Sequence, residues 1–218
     1  MSTVLERPTR EPEAHTPATA IKEQLRLLVV DDHPAVRRGV RSLLEEQLDF
    51  RVVATVASAE EALAIARRLT IDVAVIDYQL EARSGLWLSR KLKRLADPPR
   101  VVIYSAYSDV LLAAAAVAAE ADALVSKGGL GADLAEAIRA VWSGHLRLPT
   151  VPWQLAEVVR RRLDEREQAI YGMLLAGMPI SEVAQTLRTS EASVNADLWE
   201  MLYKLEPIDP ARRQAQGT

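Results

Sequence analysis

The sequence contains no cysteine among its 218 residues, which excludes disulfide bonds, thiolate metal sites and cysteine nucleophiles. Aromatic residues are few, at 5% of the chain. There is no excess of positive charge, since the net charge is −3, and this argues against a general affinity for nucleic acid or membrane. Long apolar runs are missing too, because none reaches the ~20 residues of a membrane span. The composition favours a cytoplasmic protein with no membrane partner.

Both ends of the chain have compositions typical of disorder. Residues 1–24 are rich in Pro, Thr and Glu, and they lack the apolar segment of a signal peptide. Residues 207–218 contain proline and glutamine and show no helical periodicity. We therefore expect a disordered N-terminal tail over 1–24 and a loose C-terminal tail over 207–218.

Residues 25–143 alternate short apolar runs with helical segments. The runs are rich in branched side chains and read LRLLVV, RVVATV, IDVAVID, RVVIYS and DALVS. This alternation predicts an α/β domain, in which a five-stranded parallel sheet is covered by helices on both faces. Such a doubly wound, flavodoxin-like domain binds ligands at the carboxyl ends of its strands. The alanine-rich segment Val110–Ala119 is too short for a membrane span and predicts a packed helix.

The remainder of the chain is predicted to be helical only. Residues 144–153 include two prolines and are predicted to form a linker to a second domain over 154–206. Asp164 and Glu167 have the spacing of a capping box at a helix start. A helix, a short turn and a further helix capped by Ser190 give the outline of a helix-turn-helix. The second domain is therefore expected to be a small all-α helix-turn-helix domain.

Three carboxylates lie where predicted strands end. Asp31 and Asp32 follow the first strand, and Asp77 ends the third. Neighbouring parallel strands bring such ends to one rim, where carboxylates repel one another unless a cation lies among them. Oxygen ligands suit Mg²⁺, which would also screen an anionic nucleophile from an anionic phosphoryl donor. The pattern predicts a magnesium-dependent phosphoryl site.

Two further strand ends fit the same chemistry. Ser105 ends the fourth strand and offers a hydroxyl, while Lys127 follows the fifth and offers a point charge suited to a phosphoryl group. Each residue alone is often an ordinary loop residue. The alternative is a haloacid-type phosphatase, but its signature places two acids after one strand, whereas here they come from separate strands.

The segment LLVVDDHPAVRRGVRSLLEE resembles the opening of receiver domains in the NarL/FixJ branch of two-component response regulators. Such receivers have a CheY-like fold. The resemblance implies that a sensor histidine kinase phosphorylates Asp77. It also implies a Mg²⁺ site made from the acid pair, the acceptor and one backbone carbonyl: Asp31, Asp32, Asp77 and Gln79.

The same resemblance implies roles for residues at the later strands. Ser105 is the switch hydroxyl that moves onto the phosphoryl group, and Lys127 pairs with that group. Leu124 stands where the family usually has an aromatic switch residue. Tyr107 either modulates dephosphorylation or serves as a substitute aromatic. The expected turnover is limited to slow self-hydrolysis of the phosphorylated acid, so the protein is not expected to be an enzyme.

Residues 163–205 resemble the LuxR-type helix-turn-helix that follows the receiver in this branch. The resemblance implies a transcription regulator that dimerises on activation and inserts the helix beginning at Ser190 into the DNA major groove. The candidate DNA contacts are Arg188, Ser190, Ser193, Asn195 and Lys204.

The same helix departs from the family pattern. It carries Glu191, Asp197 and Glu200, and acids in the groove oppose binding to phosphates. The alternative is a response regulator whose helical module binds a protein partner. Exposure of Ile180 and Trp199 would favour that alternative, although a tryptophan at helical spacing is also typical of a core.

Overall fold

The structure is a computed structural model that describes residues 24–106, 110–146, 148 and 153–207. The strands are β1 (Leu25–Val30), β2 (Phe50–Val56), β3 (Val73–Asp77), β4 (Arg100–Ser105) and β5 (Ala123–Ser126). The helices are α1 (Pro34–Glu45), α2 (Ala59–Ala66), α3 (Gly85–Leu92), α4 (Val110–Ala118), α5 (Gly131–Trp142), α6 (Trp153–Arg160), α7 (Glu165–Leu175), α8 (Ile180–Thr186) and α9 (Glu191–Leu205). The two predicted tails fall outside the described residues, apart from Gln24 and Pro207.

The strands form one parallel sheet in the order β2-β1-β3-β4-β5. Side chains alternate between the two faces of each strand. In β3, Val73 and Val75 join a core with α1 and α5, while Ala74 and Ile76 join a core with α2, α3 and α4. The predicted α/β fold is confirmed. Its strand order places β1 beside β3, so that the carboxyl ends of these two strands are adjacent.

Helices α6 to α9 form the C-terminal helical domain. The predicted capping box is present, since Asp164 accepts the N–H of Glu167 and the Glu167 side chain accepts the N–H of Asp164. Gly177 follows α7 with a φ of 78°, a conformation that favours glycine. Ser190 caps α9 as predicted. The helix-turn-helix outline read from the sequence is therefore present.

Helix α4 belongs to the cores of both domains. Every residue from Leu112 to Ala119 is buried. One side of α4 packs on the sheet, and the other packs against α7 and α9. The same hydrophobic core continues into α9 through Val194 and Leu198. This confirms the predicted packed helix, because a helix without a polar face is stable only when it is covered all round.

Several element boundaries differ from the prediction by a few residues, and those of α3 and α6 have a clear physical cause. The helical pattern LWLSRKLKRLA predicts a helix up to residue 96, but α3 ends at Leu92. The N–H groups of Arg94 and Leu95 bond to carbonyls three residues back and tighten the chain ahead of Pro98. Helix α6 begins at Trp153, inside the predicted linker and directly after a proline. Proline is tolerated at a helix start, so it does not delay this helix.

Candidate functional site

Four strands deliver polar side chains to the carboxyl edge of the sheet. In strand order they are Asp31 after β1, Asp77 at the end of β3, Ser105 at the end of β4 and Lys127 after β5. The sequence predicted these residues at strand ends. The structure brings the two acids and the lysine into direct contact at one edge.

Lys127 lies at the centre of this cluster. Its Nζ is 2.6 Å from Asp31 Oδ2 and 3.0 Å from Asp77 Oδ1. Its backbone N–H donates to the carbonyl of Ser105 at 2.7 Å, which fixes the start of the loop that carries it. Asp31 and Asp77 are only 3% and 6% exposed. Because water reaches these two carboxylates poorly, their negative charge requires a nearby cation. Lys127 is that cation.

The electrostatics of the cluster follow from burial and this ion pairing. Burial raises the pKa of the Asp77 carboxyl, and the ammonium of Lys127 opposes that change. Burial also acts against the charge on Lys127, but its hydrogen bonds with Asp31 and Asp77 outweigh this effect and raise its pKa. The lysine is therefore a cation at neutral pH, as an anionic phosphoryl group requires.

The acidic residues form a donor set that fits Mg²⁺. Asp31, Asp32, His33 and Asp77 each place one potential ligand atom within 4.8 Å of the others. Three of these ligands are carboxylate oxygens, which Mg²⁺ prefers. The imidazole Nδ1 of His33 lies 2.5 Å from Asp32 Oδ1 and its ring is mostly exposed. The backbone N–H of Gln79 donates to the Asp77 carboxylate, and its carbonyl as a metal ligand stays a prediction.

Gly85 closes the loop that follows Asp77. Its N–H donates to the carbonyl of Tyr78 at 2.8 Å. A Cβ at residue 85 would lie 2.1 Å from the backbone oxygen of Asp77 and 3.0 Å from Ile76 Cγ2. The distance to the backbone oxygen is too short for any side chain and the distance to Ile76 Cγ2 is tight, so glycine is required for this loop to close next to the acceptor.

The predicted switch residues lie at β4 and β5. Ser105 is fully buried, and Leu124 is half-buried against the core that includes α4. Tyr107 lies outside the described residues. The sequence analysis missed Tyr104, whose ring centroid is 5.9 Å from Lys127 Nζ. Tyr104 directly precedes Ser105 on β4, and this position was the signal available in the sequence. The two side chains point to opposite faces of the sheet, because neighbouring residues of a strand alternate between its faces.

Three of the candidate DNA contacts surround the start of α9. Arg188 is exposed in the turn before α9, with a φ of 51°. The Ser190 hydroxyl accepts the N–H of Ser193 at 3.1 Å, which is the capping bond. The Ser193 hydroxyl is 3.3 Å from a guanidinium nitrogen of Arg166 and accepts its hydrogen bond. Both serines therefore have local partners, whereas Arg188 faces solvent.

Lys204, a fourth candidate, is engaged inside the helical domain. Its Nζ lies 2.6 Å from Glu167 Oε1 on α7. Glu167 is only 2% exposed. This buried carboxylate holds Lys204 against the helical domain. The contact therefore indicates a structural role for the lysine.

The fifth candidate, Asn195, faces the receiver domain. Arg90 on α3 donates hydrogen bonds to the Asn195 backbone carbonyl at 3.2 Å and to its Oδ1 at 3.1 Å. The same guanidinium lies 5.4 Å from the ring centroid of Trp199 and forms an ion pair with Glu120. The face of α9 that carries Asn195 is therefore covered by the receiver.

Arg90 is the main interdomain residue that sequence reasoning missed. It is 0% exposed, although it lies among the charged residues Lys91, Lys93 and Arg94. The one available signal was its position four residues after Leu86, on the same side of α3. Its burial lowers the pKa of the guanidinium to about 10.

Two apolar residues lack the exposure that would have favoured a protein partner, and Trp199 has the core position that its helical spacing indicated. Ile180 and Trp199 are both half-buried and pack against the core shared with α4. They are covered because α4 has no polar face and packs against the helical domain. The outer face of α9 instead exposes five residues, of which two are acidic and none is basic: Glu191, Ala192, Ala196, Glu200 and Tyr203.

Comparison with known families identifies the class of protein that has this fold and this site. A family model described as "Response regulator receiver domain" matches residues 27–139. The chain belongs to the response regulator family. Among the described residues, no helix is long and apolar enough to cross a membrane.

Curated relatives match across most of the chain. Response regulator UvrY of Escherichia coli is 28% identical over 191 residues, covering 83% of this chain and 88% of the relative. The nitrate/nitrite response regulator NarP of Escherichia coli is 32% identical over 194 residues, covering 82% and 87%. The transcriptional activator ExaE of Pseudomonas putida is 31% identical over 191 residues, covering 83% and 89%.

Solved structures match as well. A LuxR-family response regulator from Aurantimonas sp. SI85-9A1 has 32% identity and a TM-score of 0.55, covering 65% of this chain and all of that one. The response regulator RcsB, in a complex with DNA, has 21% identity and a TM-score of 0.57, covering 87% of this chain and 95% of that one. The second likeness is one of fold alone.

Proposed function

We propose that this protein is a phosphorylation-controlled transcription regulator whose acceptor is Asp77. One observation carries the proposal: a single lysine, Lys127, lies within 3.0 Å of two buried carboxylates at the sheet edge, Asp31 and Asp77. The phosphoryl donor implied by a receiver is a sensor histidine kinase. The proposal also places the receiver domain in the cytoplasm.

The side chains present suit phosphoryl transfer. A carboxylate oxygen of Asp77 attacks phosphorus, the bond from phosphorus to the donor's imidazole nitrogen breaks, and the imidazole leaves with the electron pair. Lys127 offsets the charge on the transferred group, and the Ser105 hydroxyl at the end of β4 is the proposed donor to it. The product is an acyl phosphate on Asp77. Slow hydrolysis of that bond is the turnover we expect.

We propose that Mg²⁺ is held by Asp31, Asp32 and Asp77, with the carbonyl of Gln79 as a further ligand. When bound, the ion neutralises charge on the phosphoryl oxygens and orients the group. Asp31 is held ready by the His33 N–H, which donates to its Oδ1 at 2.8 Å.

Labelling with acetyl phosphate and Mg²⁺ tests the acceptor. We expect the wild-type protein to gain an acid-labile phosphate, visible as a mass shift in intact-protein mass spectrometry. We expect it to gain no acid-stable phosphate. Asp77→Asn should abolish the label, while Asp97→Asn, at an exposed loop, is the matched control. Persistent labelling of Asp77→Asn would refute the assignment.

We propose that the output is DNA binding by the C-terminal domain. Relatives that match over more than four-fifths of the chain include a transcriptional activator, which supports this output. Arg188 and Asn195 are the side chains best placed to contact DNA, but Asn195 is bonded to Arg90. DNA binding therefore requires α9 to leave the receiver.

We infer that the active form is a homodimer. Release of α9 uncovers the side of α4 that packs against it, and the residues of α4 from Leu112 onward are all apolar and buried. A second copy of the chain offers a matching cover for that side. Sedimentation velocity with and without the phosphoryl mimic beryllofluoride tests this, and a monomer under both conditions contradicts it.

A protein partner is the second candidate for the output. The exposed face of α9 favours it, because that face carries Glu191 and Glu200 and no base. Fluorescence anisotropy of a random-sequence duplex, titrated across a salt series, separates the two. Salt-dependent binding that tightens with beryllofluoride supports DNA, whereas no binding at low salt supports the protein partner.

A further inference from the structure

The residue that follows the proposed acceptor contacts the chain just after the C-terminal domain. Tyr78 comes directly after Asp77, and its buried hydroxyl donates to the carbonyl of Pro207 at 3.1 Å. Helix α9 ends at Leu205, so Pro207 lies two residues beyond its end. One side chain thus connects the acceptor loop with the C-terminal end of the helix proposed to contact DNA.

Two hydrogen bonds hold the loop that carries Tyr78, one to the acceptor and one across the loop. The N–H of Gln79 donates to the Asp77 carboxylate, and the N–H of Gly85 donates to the carbonyl of Tyr78. Phosphorylation adds charge and bulk at that carboxylate and competes for the Gln79 N–H. A shift of the loop would then displace the Tyr78 hydroxyl from Pro207.

A second contact holds the first half of the same helix. Arg90 lies at the far side of the loop, on α3, and bonds to Asn195. Helix α9 is therefore attached to the segment after the acceptor at two points, one in its first half and one just beyond its end. One attachment comes from the loop after β3 and the other from α3.

We propose that Tyr78 transmits phosphorylation of Asp77 to α9. In the unphosphorylated protein its hydroxyl holds the end of α9, and displacement of the loop breaks that hydrogen bond. The inference rests on the proposed function, because it requires Asp77 to be the acceptor. It goes beyond that function by naming the residue that links the two domains.

Hydrogen exchange of the α9 amides, measured on the full chain by mass spectrometry, tests the link. Tyr78→Phe removes the hydroxyl and keeps the ring, so we expect exchange near the end of α9 to be about fivefold faster than in wild type. Tyr171→Phe is the matched control, since the hydroxyl of this buried tyrosine has no hydrogen-bond partner among the described residues. Equal exchange in wild type and Tyr78→Phe overturns the proposal.

Beryllofluoride with Mg²⁺ provides the second arm. We expect it to speed α9 exchange in wild type, to add little in Tyr78→Phe, and to have no effect in Asp77→Asn. If acetyl phosphate does not label wild type, the proposed function fails. If labelling occurs but beryllofluoride accelerates Tyr78→Phe as much as wild type, the function stands and the Tyr78 link is wrong.

Discussion

The ammonium of Lys204 lies 2.6 Å and 2.7 Å from the two carboxylate oxygens of Glu167. The same carboxylate accepts the backbone N–H of Asp164 at 2.8 Å. One buried acid therefore secures both the start of α7 and the end of α9, and the helical domain depends on it.

Replacing that acid should destabilise the helical domain. We expect Glu167→Ala to lower the free energy of unfolding by about 2–3 kcal/mol, because it removes a helix cap and leaves Lys204 without its main partner. Urea denaturation followed by far-UV circular dichroism measures the change. Glu165→Ala, at an exposed position of the same helix turn, should stay within about 0.5 kcal/mol of wild type. Equal losses at both positions would contradict the structural role.

Gly85 and Gly39 make a matched pair of glycines. At Gly85 a methyl group would meet the Asp77 backbone oxygen at 2.1 Å, whereas at Gly39 it would meet nothing within 4 Å. We expect Gly85→Ala to displace the acceptor loop, reducing the acetyl phosphate labelling rate at least about tenfold and costing about 1–3 kcal/mol of stability. Gly39→Ala, inside α1, should label normally and be about 0.5–1 kcal/mol more stable. Normal labelling of Gly85→Ala would show that the loop tolerates the methyl group.

Asp72 should give the protein a pH-dependent contribution to stability. Hydrogen bonds from Arg26 lower the pKa of Asp72 below its ordinary value, against the effect of burial. A lowered carboxyl pKa stabilises the folded state above the unfolded pKa, and the contribution is lost as pH falls through the folded value. We expect Asp72→Asn to cost about 1 kcal/mol at pH 7, and the gap from wild type to narrow below about pH 5. A gap that is constant from pH 7 to pH 3.5 in urea denaturation would disprove this linkage.

Arg90 should hold the two domains together more than it stabilises the receiver. In Arg90→Met, Glu120 keeps its ion pair with Arg94, so no buried charge is left alone. We expect overall stability to change by no more than about 1 kcal/mol, while amide exchange around Asn195 becomes several-fold faster. Arg68→Met removes an exposed arginine from the end of α2 and serves as the control. Unchanged exchange around Asn195 would mean that the hydrophobic contacts of α4 suffice.

The sequence predicted the sheet edge well because the relevant signals are local. A buried strand reads as an apolar run, and the first polar residue after it marks the carboxyl end, as at Asp31 and Lys127. The residue types at these ends then indicated the chemistry. The spacing of Asp164 and Glu167 likewise predicted a capping box that the structure contains.

The interdomain contacts escaped prediction because they join distant parts of the chain. Tyr78 and Pro207 are 129 positions apart, and Arg90 and Asn195 are 105 positions apart. Periodicity within a helix shows which face is apolar, but it does not show which polar residue on that face meets a partner.

The burial of α4 in two cores limits the substitutions that this protein can tolerate. Its residues from Leu112 to Ala119 are buried between the sheet and the helical domain. A polar replacement on either side would disturb two cores at once, and a chain ending after the receiver would present an apolar surface to water and tend to aggregate. The two domains therefore depend on each other through α4, and we expect neither to keep its stability when joined to the corresponding domain of another regulator.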